Sequence, residues 1–176
     1  MNICVDVYLQ SGTGFNTRSK YNQTHTVSRE QINHANDFRM VGKRLLSDDE
    51  FTSIAIGSNE CSNISGSADA TTVGGHKDTN NRRMISAIGV EEACGYLWQW
   101  LRELITVSNS SPYNGWCSID GKDSFGKQYW NTHALLAGAN WDGGAGGGSR
   151  ARDACNVRSS VDAGYGGRGS SQVSFY

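Results

Sequence analysis

Apolar and polar residues alternate from Asn2 to Gln10, with Ile3, Val5, Val7 and Leu9 on one side, the period of a half-buried strand. The polar stretch Ser11 to Thr26, rich in Gly, Asn, Thr and Ser, predicts a loop. Ser28-Arg29-Glu30-Gln31 has the form of a capping box and predicts a short helix through Ile32 and Ala35. Ser47-Asp48-Asp49-Glu50 repeats that device with acids in the first turn, ahead of Phe51, Ile54 and Ala55, so a second short helix starts near Asp48. Gly57 to Asn81 turns to Ser, Asn, Gly, Thr and Asp and predicts a long surface loop. The strongest helical pattern runs from Glu91 to Leu104, where Ala93, Leu97, Trp100, Leu101 and Leu104 form a stripe that leaves Trp98 aside. Ser108 to Lys127 is turn-rich around Pro112, His133 to Gly138 predicts a short buried strand around Leu135 and Leu136, and Gln172 to Tyr176 alternates like a terminal strand.

Composition narrows the class. The chain has 176 residues, 22 glycines, one proline and a formal net charge of −1, which fits one domain over 1–176. Glycines without a three-residue period exclude collagen, and five Trp, seven Tyr and five Phe argue against full disorder. The charge balance supplies no electrostatic reason for nucleic acid or an anionic membrane as partner. No apolar run approaches the roughly 18 residues of a membrane helix, and Met1-Asn2-Ile3-Cys4 opens neither a basic nor an apolar leader, so a soluble chain with no signal peptide and no membrane insertion is expected. Cys4, Cys61, Cys94, Cys117 and Cys155 lack the spacing of zinc or redox sites and read as buried or half-buried thiols, with one disulfide as the alternative. His25, His34, His76 and His133 show no ligand spacing and read as surface or capping residues, with no metal and no cofactor implied. His76-Lys77-Asp78 and Asp120-Gly121-Lys122-Asp123 read as solvated turns, and Gly143 to Gly148 lacks the Lys and following helix of a phosphate loop.

Ten of the glycines fall between Gly138 and Gly169, and the stretch Ala137 to Ser171 contains no Lys, Glu, Gln or Met. A flexible linker would account for the glycines but not for Trp141, nor for Arg150, Arg152, Arg158 and Arg168 spaced along it.

Arg44-Leu45-Leu46-Ser47-Asp48-Asp49-Glu50-Phe51 resembles the Arg-Leu-Pro-Thr-Glu-Ala-Glu-Trp segment of proteins with the formylglycine-generating-enzyme version of the C-type lectin fold. Leu135-Leu136-Ala137-Gly138-Ala139-Asn140-Trp141, then Gly148-Ser149-Arg150-x-Arg152, Arg158 and Gly166-x-Arg168, resembles the terminal signature of the same fold. The resemblance implies an α+β C-type lectin fold, formylglycine-generating-enzyme-like and loop-rich, with short helices and small antiparallel sheets. Within it, Asp6 to Gly14, Val41 to Leu46, Gly57-Ser58-Asn59-Glu60, Gly66 to Asp69, Arg82 to Ser86, Ile88 to Glu91 and Cys94 to Trp100 resemble the variable proteins of diversity-generating retroelements, many of them phage tail or receptor-binding proteins. In that family, copying errors at adenines randomise asparagine codons near the end of the gene. Replacing both adenines of AAC or AAT never yields Lys, Glu, Gln, Met or Trp; the first four are missing from Ala137 to Ser171, and its one Trp, Trp141, stands at a position that the resemblance makes fixed.

The resemblance implies that Gly138, Trp141, Gly144, Gly148, Ser149, Arg150, Arg152, Arg158, Gly166 and Arg168 are scaffold. It implies a variable, ligand-facing set within 138–169: Asn140, Asp142, Ala145, Gly146, Gly147, Ala151, Asp153, Cys155, Val157, Ser159, Ser160, Asp162, Ala163 and Tyr165. The function implied is non-enzymatic binding of a macromolecular ligand, a protein or glycan on a host or target cell surface, by a protein of a virion tail or cell surface, with an oligomer possible. The set is mostly Ala, Gly, Ser and Asp, with Tyr165 its aromatic member, so a shallow, mildly acidic and weakly adhesive face is expected. Two other classes are weighed. An oxidase of the formylglycine-generating type needs a cysteine pair near the end of the chain, whereas only Cys155 follows Cys117. A calcium-dependent carbohydrate-binding lectin needs Glu-Pro-Asn or Gln-Pro-Asp with Trp-Asn-Asp, whereas the proline here follows Ser111 and Asn140-Trp141-Asp142 has those residue types in another order.

Overall fold

Two segments carry end groups that hold helices. In α2 (Asp48–Ala55) the capping box forms in full: Ser47 Oγ accepts the Glu50 N–H, and the Glu50 carboxylate accepts the Ser47 N–H at 2.9 Å. Arg44 grips the same carboxylate with both guanidinium ends, at 2.6 and 2.5 Å, and holds the Glu50 pKa down to about 2. α1 (Gln31–Met40) is longer than its pattern predicts, and the Ser28 capping box does not form. Ser28 has φ +54° and Glu30 takes the N-cap position without a side-chain bond. Gln31, freed from capping, donates its amide to Leu101 O at 2.7 Å. The face that α1 buries is Gln31, His34, Asp37 and Phe38, mostly polar, which is why its amphipathic signal is weak.

The computed structural model describes residues 2–65, 71–107, 116–118, 127–129 and 131–173. Its strands are β1 (Ile3–Val5), β2 (Gln10–Ser11), β3 (Arg18–Ser19), β4 (Arg44–Leu45), β5 (Trp98–Val107), β6 (Trp116–Ser118), β7 (Lys127–Tyr129), β8 (Asn131–Ala137), β9 (Arg152–Asp153), β10 (Tyr165–Gly167) and β11 (Gly169–Gln172). They pair as a four-stranded sheet β10-β5-β8-β9, a three-stranded sheet β1-β11-β4 and two ribbons, β2-β3 and β6-β7; the pairings are antiparallel except β10 with β5. The turn-rich reading of Ser108 to Lys127 and the end of the terminal strand lie largely outside the described residues. The buried strand expected near Leu135 is β8.

The helix expected from Glu91 to Leu104 is replaced by a coil leading into β5. Glu92 and Gly95 adopt φ of +54° and +75°, and a Cβ at Gly95 would stand 2.5 Å from Ser62 O, so the backbone there is not helical. Further on, Trp100 pairs with Leu136 and Leu104 with Ala134, so four residues of β5 answer two of β8. That irregularity turns both Trp100 and Leu101 inward and imitates a helical stripe in a strand. The predicted first strand is also interrupted. It breaks after β1 at Asp6 and Val7, whose carbonyls turn to another partner, and Val7 is exposed while Leu9 is buried.

That partner is Arg168, fully buried between β10 and β11. Its Nη1 donates to Asp6 O and Val7 O at 2.8 and 2.6 Å, Nη2 to Glu91 O and Glu92 O at 2.6 and 3.4 Å, and Nε to Gln99 Oε1 at 3.0 Å. Gln99 in turn donates to Glu92 O and Ala93 O at 3.2 and 2.9 Å. Desolvation lowers the Arg168 pKa to about 10, opposed by the charges of Glu92, Asp6 and Glu91. The guanidinium therefore stays charged.

Several polar readings change with burial. Asp78 is not in a solvated turn: it is fully buried and accepts from Asn59 and Ser62 at 2.8 and 2.9 Å, from the Asn80 and Arg82 N–H groups and from the Arg82 guanidinium. Burial opposes its charge, but these donors outweigh it and keep the carboxyl below its usual range. His34 and His133 are buried rather than superficial. His76 bonds the buried Glu92 carboxylate, which also accepts the Gly74 N–H at 2.7 Å. Cys94 is the buried thiol, whereas Cys4, Cys61 and Cys155 are exposed, and all four are free. Among the described residues no helix is long and apolar enough to cross a membrane.

Arg168→Lys removes the forked donors that reach both segments at once, and should lower the unfolding free energy by about 3 kcal/mol in denaturant titrations. His34 donates from Nδ1 to Gln10 Oε1 at 2.6 Å, and burial, with the charge of Arg29, lowers its pKa from 6.5 to about 4 against the opposing pull of Asp37. Below pH 6.5 the unfolded chain takes up a proton that the folded chain refuses, so stability falls as the pH drops toward 4, by about 3 kcal/mol in all. In His34→Gln this part of the acid limb should be flat.

Candidate recognition face

The segment 138–169 is not a tail laid on a finished scaffold. It leaves β8 at Gly138, makes a 3-10 turn at Gly144–Gly146, and returns as β9, whose Asp153 and Arg152 pair with Leu136 and Ala137. It then bridges His133 through Val157, meets the start of α1, and enters β10 beside β5. Both edges of the four-stranded sheet come from this segment, and β11, in the middle of the other sheet, follows at once.

The expected scaffold residues take distinct places. Arg168 holds the carbonyls of Asp6 and Glu91 from within the core. Arg152 stands 5.0 Å over the Phe51 ring, bonds Asp48 and Thr52 at 2.5 and 2.8 Å, and donates to Ser149 O and Ala151 O at 3.0 and 2.8 Å. Trp141 is half-buried and packs against the cluster of Leu9, Met84 and Tyr96. The Arg158 carbonyl accepts the Gln31 N–H at 3.0 Å, joining the segment to the start of α1. Arg150 differs from the other three: it is exposed.

Of the expected ligand-facing set, Asp142, Ala145, Gly146, Cys155, Ser159, Asp162 and Ala163 are exposed, and Asn140, Ala151, Asp153, Val157, Ser160 and Tyr165 are half-buried. Gly147 departs from the expectation. It is buried, its carbonyl accepts the Cys61 N–H at 2.9 Å, and a Cβ would stand 3.3 Å from Ser62 O, so it faces the body of the protein.

Short-range bonds stiffen the exposed loops. Asp153 Oδ1 accepts the Cys155 N–H and thiol at 2.9 and 2.8 Å, while Oδ2 accepts the Asn156 amide at 2.8 Å. The bond to Asp153, with some burial and the carboxylate charge, raises the Cys155 pKa and keeps it a thiol. Asp162 Oδ1 accepts the Gly164 N–H at 2.7 Å. Tyr165 sets its ring edge-on to Trp100 at 5.2 Å and donates its hydroxyl to Asn156 Oδ1 at 3.1 Å. Burial raises its pKa, and Asp153 and Asp162 push it further the same way.

Sequence reasoning passed over the residues that pin these loops from outside. Glu60, quoted only as part of a motif, accepts the Ser149 N–H with both carboxylate oxygens at 3.2 and 3.1 Å, and a Cβ at the neighbouring Gly148 would collide with it. Asp48, read as a helix acid, also binds Arg152. Asn156 lies in neither expected set, yet it joins Asp153 to Tyr165; its one signal in the sequence is that it is an asparagine inside the segment. Among the described residues no three His, Cys, Asp or Glu side chains converge as metal ligands.

The sequence matches no protein-family model and no curated protein. The structure, in contrast, superposes on solved structures of the Major Tropism Determinant. For the U1 and M1 variants the TM-score is 0.75 at 27% identity, and for the P3c variant 0.74 at 28%, each covering 95% of this chain. The chain shares the fold of the tropism determinants. This is the α+β C-type lectin fold that the motifs implied, and the resemblance to the variable proteins of diversity-generating retroelements holds over nearly the whole chain. The chain spans about half the length of those tropism determinants, 49% of each.

Removing the Glu60 carboxylate should loosen the loop without unfolding the protein. In Glu60→Ala the Ser149 amide is expected to exchange with solvent about fivefold faster, the equivalent of about 1 kcal/mol, while the amides of β5 keep their protection.

Proposed function

We propose that the chain is a non-enzymatic receptor-binding domain of a phage tail or cell-surface protein, and that the exposed positions of 138–169 form its diversified recognition face. The observation that carries this reading is the residue content of the segment: positions that could vary hold only what an AAC or AAT codon can become, while Arg152 and Arg168 between them are bonded into the fold. The likeness to proteins named tropism determinants supports a macromolecular ligand on a target cell. The same likeness favours this reading over the oxidase and lectin alternatives, whose cysteine pair and proline triplet the sequence lacks.

The particular residues now on the face make it a poor binder. Asp142, Asp153 and Asp162 leave it mildly acidic, and Tyr165, the aromatic member of the set, has its ring packed on Trp100 and its hydroxyl engaged. Two surface-display libraries test the assignment. Randomising Asp142, Ala145, Gly146, Cys155, Ser159, Asp162 and Ala163 should leave display at the level of the parent chain and yield binders to new proteins after selection. Randomising Trp141, Arg152, Arg158 and Arg168 should abolish display in nearly all clones. Equal loss in both libraries would remove the distinction between face and frame.

A further inference from the structure

Where α1, β4 and β5 meet, alongside the Arg158 loop, the surface opens into a groove of about 240 Å³. Five cations line it, Arg39, Lys43, Arg44, Arg102 and Arg158, and none of its lining residues is acidic. Such a concentration of positive charge is unexpected in a chain of net charge −1. Part of it is structural: Lys43 is held by Asp6 at 2.5 Å, and Arg44 is spent on Glu50, Ser170 and Leu45 O. Arg39 and Arg102 are different. Both are exposed; Arg39 donates one Nη to Asn36 at 3.2 Å, and Arg102 engages the adjacent Glu103 through Nε at 3.2 Å. The outer edge of each guanidinium keeps donors directed at solvent.

The groove does not end there. A second cavity of about 410 Å³ shares Lys43 and Arg44 with it and continues over Gly42 to Ser170, Ser171 and Gln172. The result is a track with cations and the aliphatic surfaces of Ile32, Ala35 and Leu104 at one end, and hydroxyl and amide groups at the other. Leu104 is 43% exposed there, so the aliphatic part is open to a ligand.

We infer that this track binds a linear acidic polysaccharide, with its carboxylate or sulfate groups on Arg39 and Arg102. Repeated anions match guanidinium donors, sugar hydroxyls match Ser171 and Gln172, and the C–H faces of a pyranose ring match Ile32 and Leu104. An acidic peptide fits less well, because its apolar side chains would meet only polar groups in the second cavity. None of the lining residues belongs to the expected variable set, so a glycan held here would be gripped identically whatever the recognition face became. Binding in this track is therefore independent of the function proposed for 138–169.

Polygalacturonate (carboxylate), heparin (sulfate), neutral dextran and polyglutamate, each immobilised, distinguish the possibilities with the intact chain. Retention on either acidic polysaccharide at 50 mM salt, reduced at least tenfold at 300 mM salt and at least tenfold in Arg39→Gln/Arg102→Gln, supports the inference. The relative retention on the two then shows which anion is preferred. Both arginines are exposed, so the double variant should melt within a few degrees of the parent, and Asp142→Asn/Asp162→Asn should be retained like the parent. Equal retention on dextran, stronger retention on polyglutamate, an unaffected double variant, or no retention on either acidic polysaccharide would overturn it.

Discussion

A fold with this little regular structure is limited by its backbone carbonyls, and the buried Arg168 guanidinium answers that limit where three segments meet. Its donors reach the break after β1, the coil before β5 and the Gln99 side chain, which carries the arrangement on to Ala93. Backbone pairing serves these carbonyls only in part: Val7 O also accepts the Glu91 N–H at 3.0 Å, and the guanidinium supplies the rest. Arginine suits the position through its five donors set in a rigid fork, and its charge is kept by nearby acids rather than by one paired carboxylate. The first strand breaks, and the predicted helix fails to form, in the two places where this side chain takes carbonyls.

The same economy governs the loops. Buried carboxylates stand in for sheet ladders: Asp78 gathers Asn59, Ser62 and Arg82; Glu91 bonds Arg83 and the Gly75 N–H; Glu92 takes the Gly74 N–H and His76. The ordered stretch beginning at Asn59 then supplies Glu60 and the Cys61 N–H to the recognition segment. Rigidity in the face is thus inherited from charged groups deep in the protein, and the exposed side chains bear little of the packing.

How much of this was legible in the sequence follows from which interactions are local. The capping box of α2 rests on near neighbours, and the strand around Leu136 announces itself through its own short apolar run, so both are legible. The segment from Glu91 to Leu104 was misread because a strand irregularity gives the apolar spacing of a helix, and the glycine that forbids the helix is revealed only by Ser62 behind it. Asp78 and His34 look like surface residues until partners distant in the chain, Asn59 and Ser62 for one and Gln10 for the other, close over them. The arginines of the last third could be singled out from their motif, but not their tasks, and Gly147 could not be separated from Gly146 by composition, since only one of the two faces Ser62. Glu60 had no local signal at all.

Because 138–169 provides both edges of one sheet and precedes the central strand of the other, the protein cannot be completed without translating through the stretch proposed to vary. A premature stop anywhere in it would cost the chain Arg168 and β11, and with them the closure of β1. On the proposed route of diversification that accident does not arise from the randomised codons. All three stop codons end in a purine, whereas an AAC or AAT codon keeps its final pyrimidine whatever replaces its adenines. The genetic code thus lets the face change freely while ensuring that the ribosome reaches the arginine on which the fold closes.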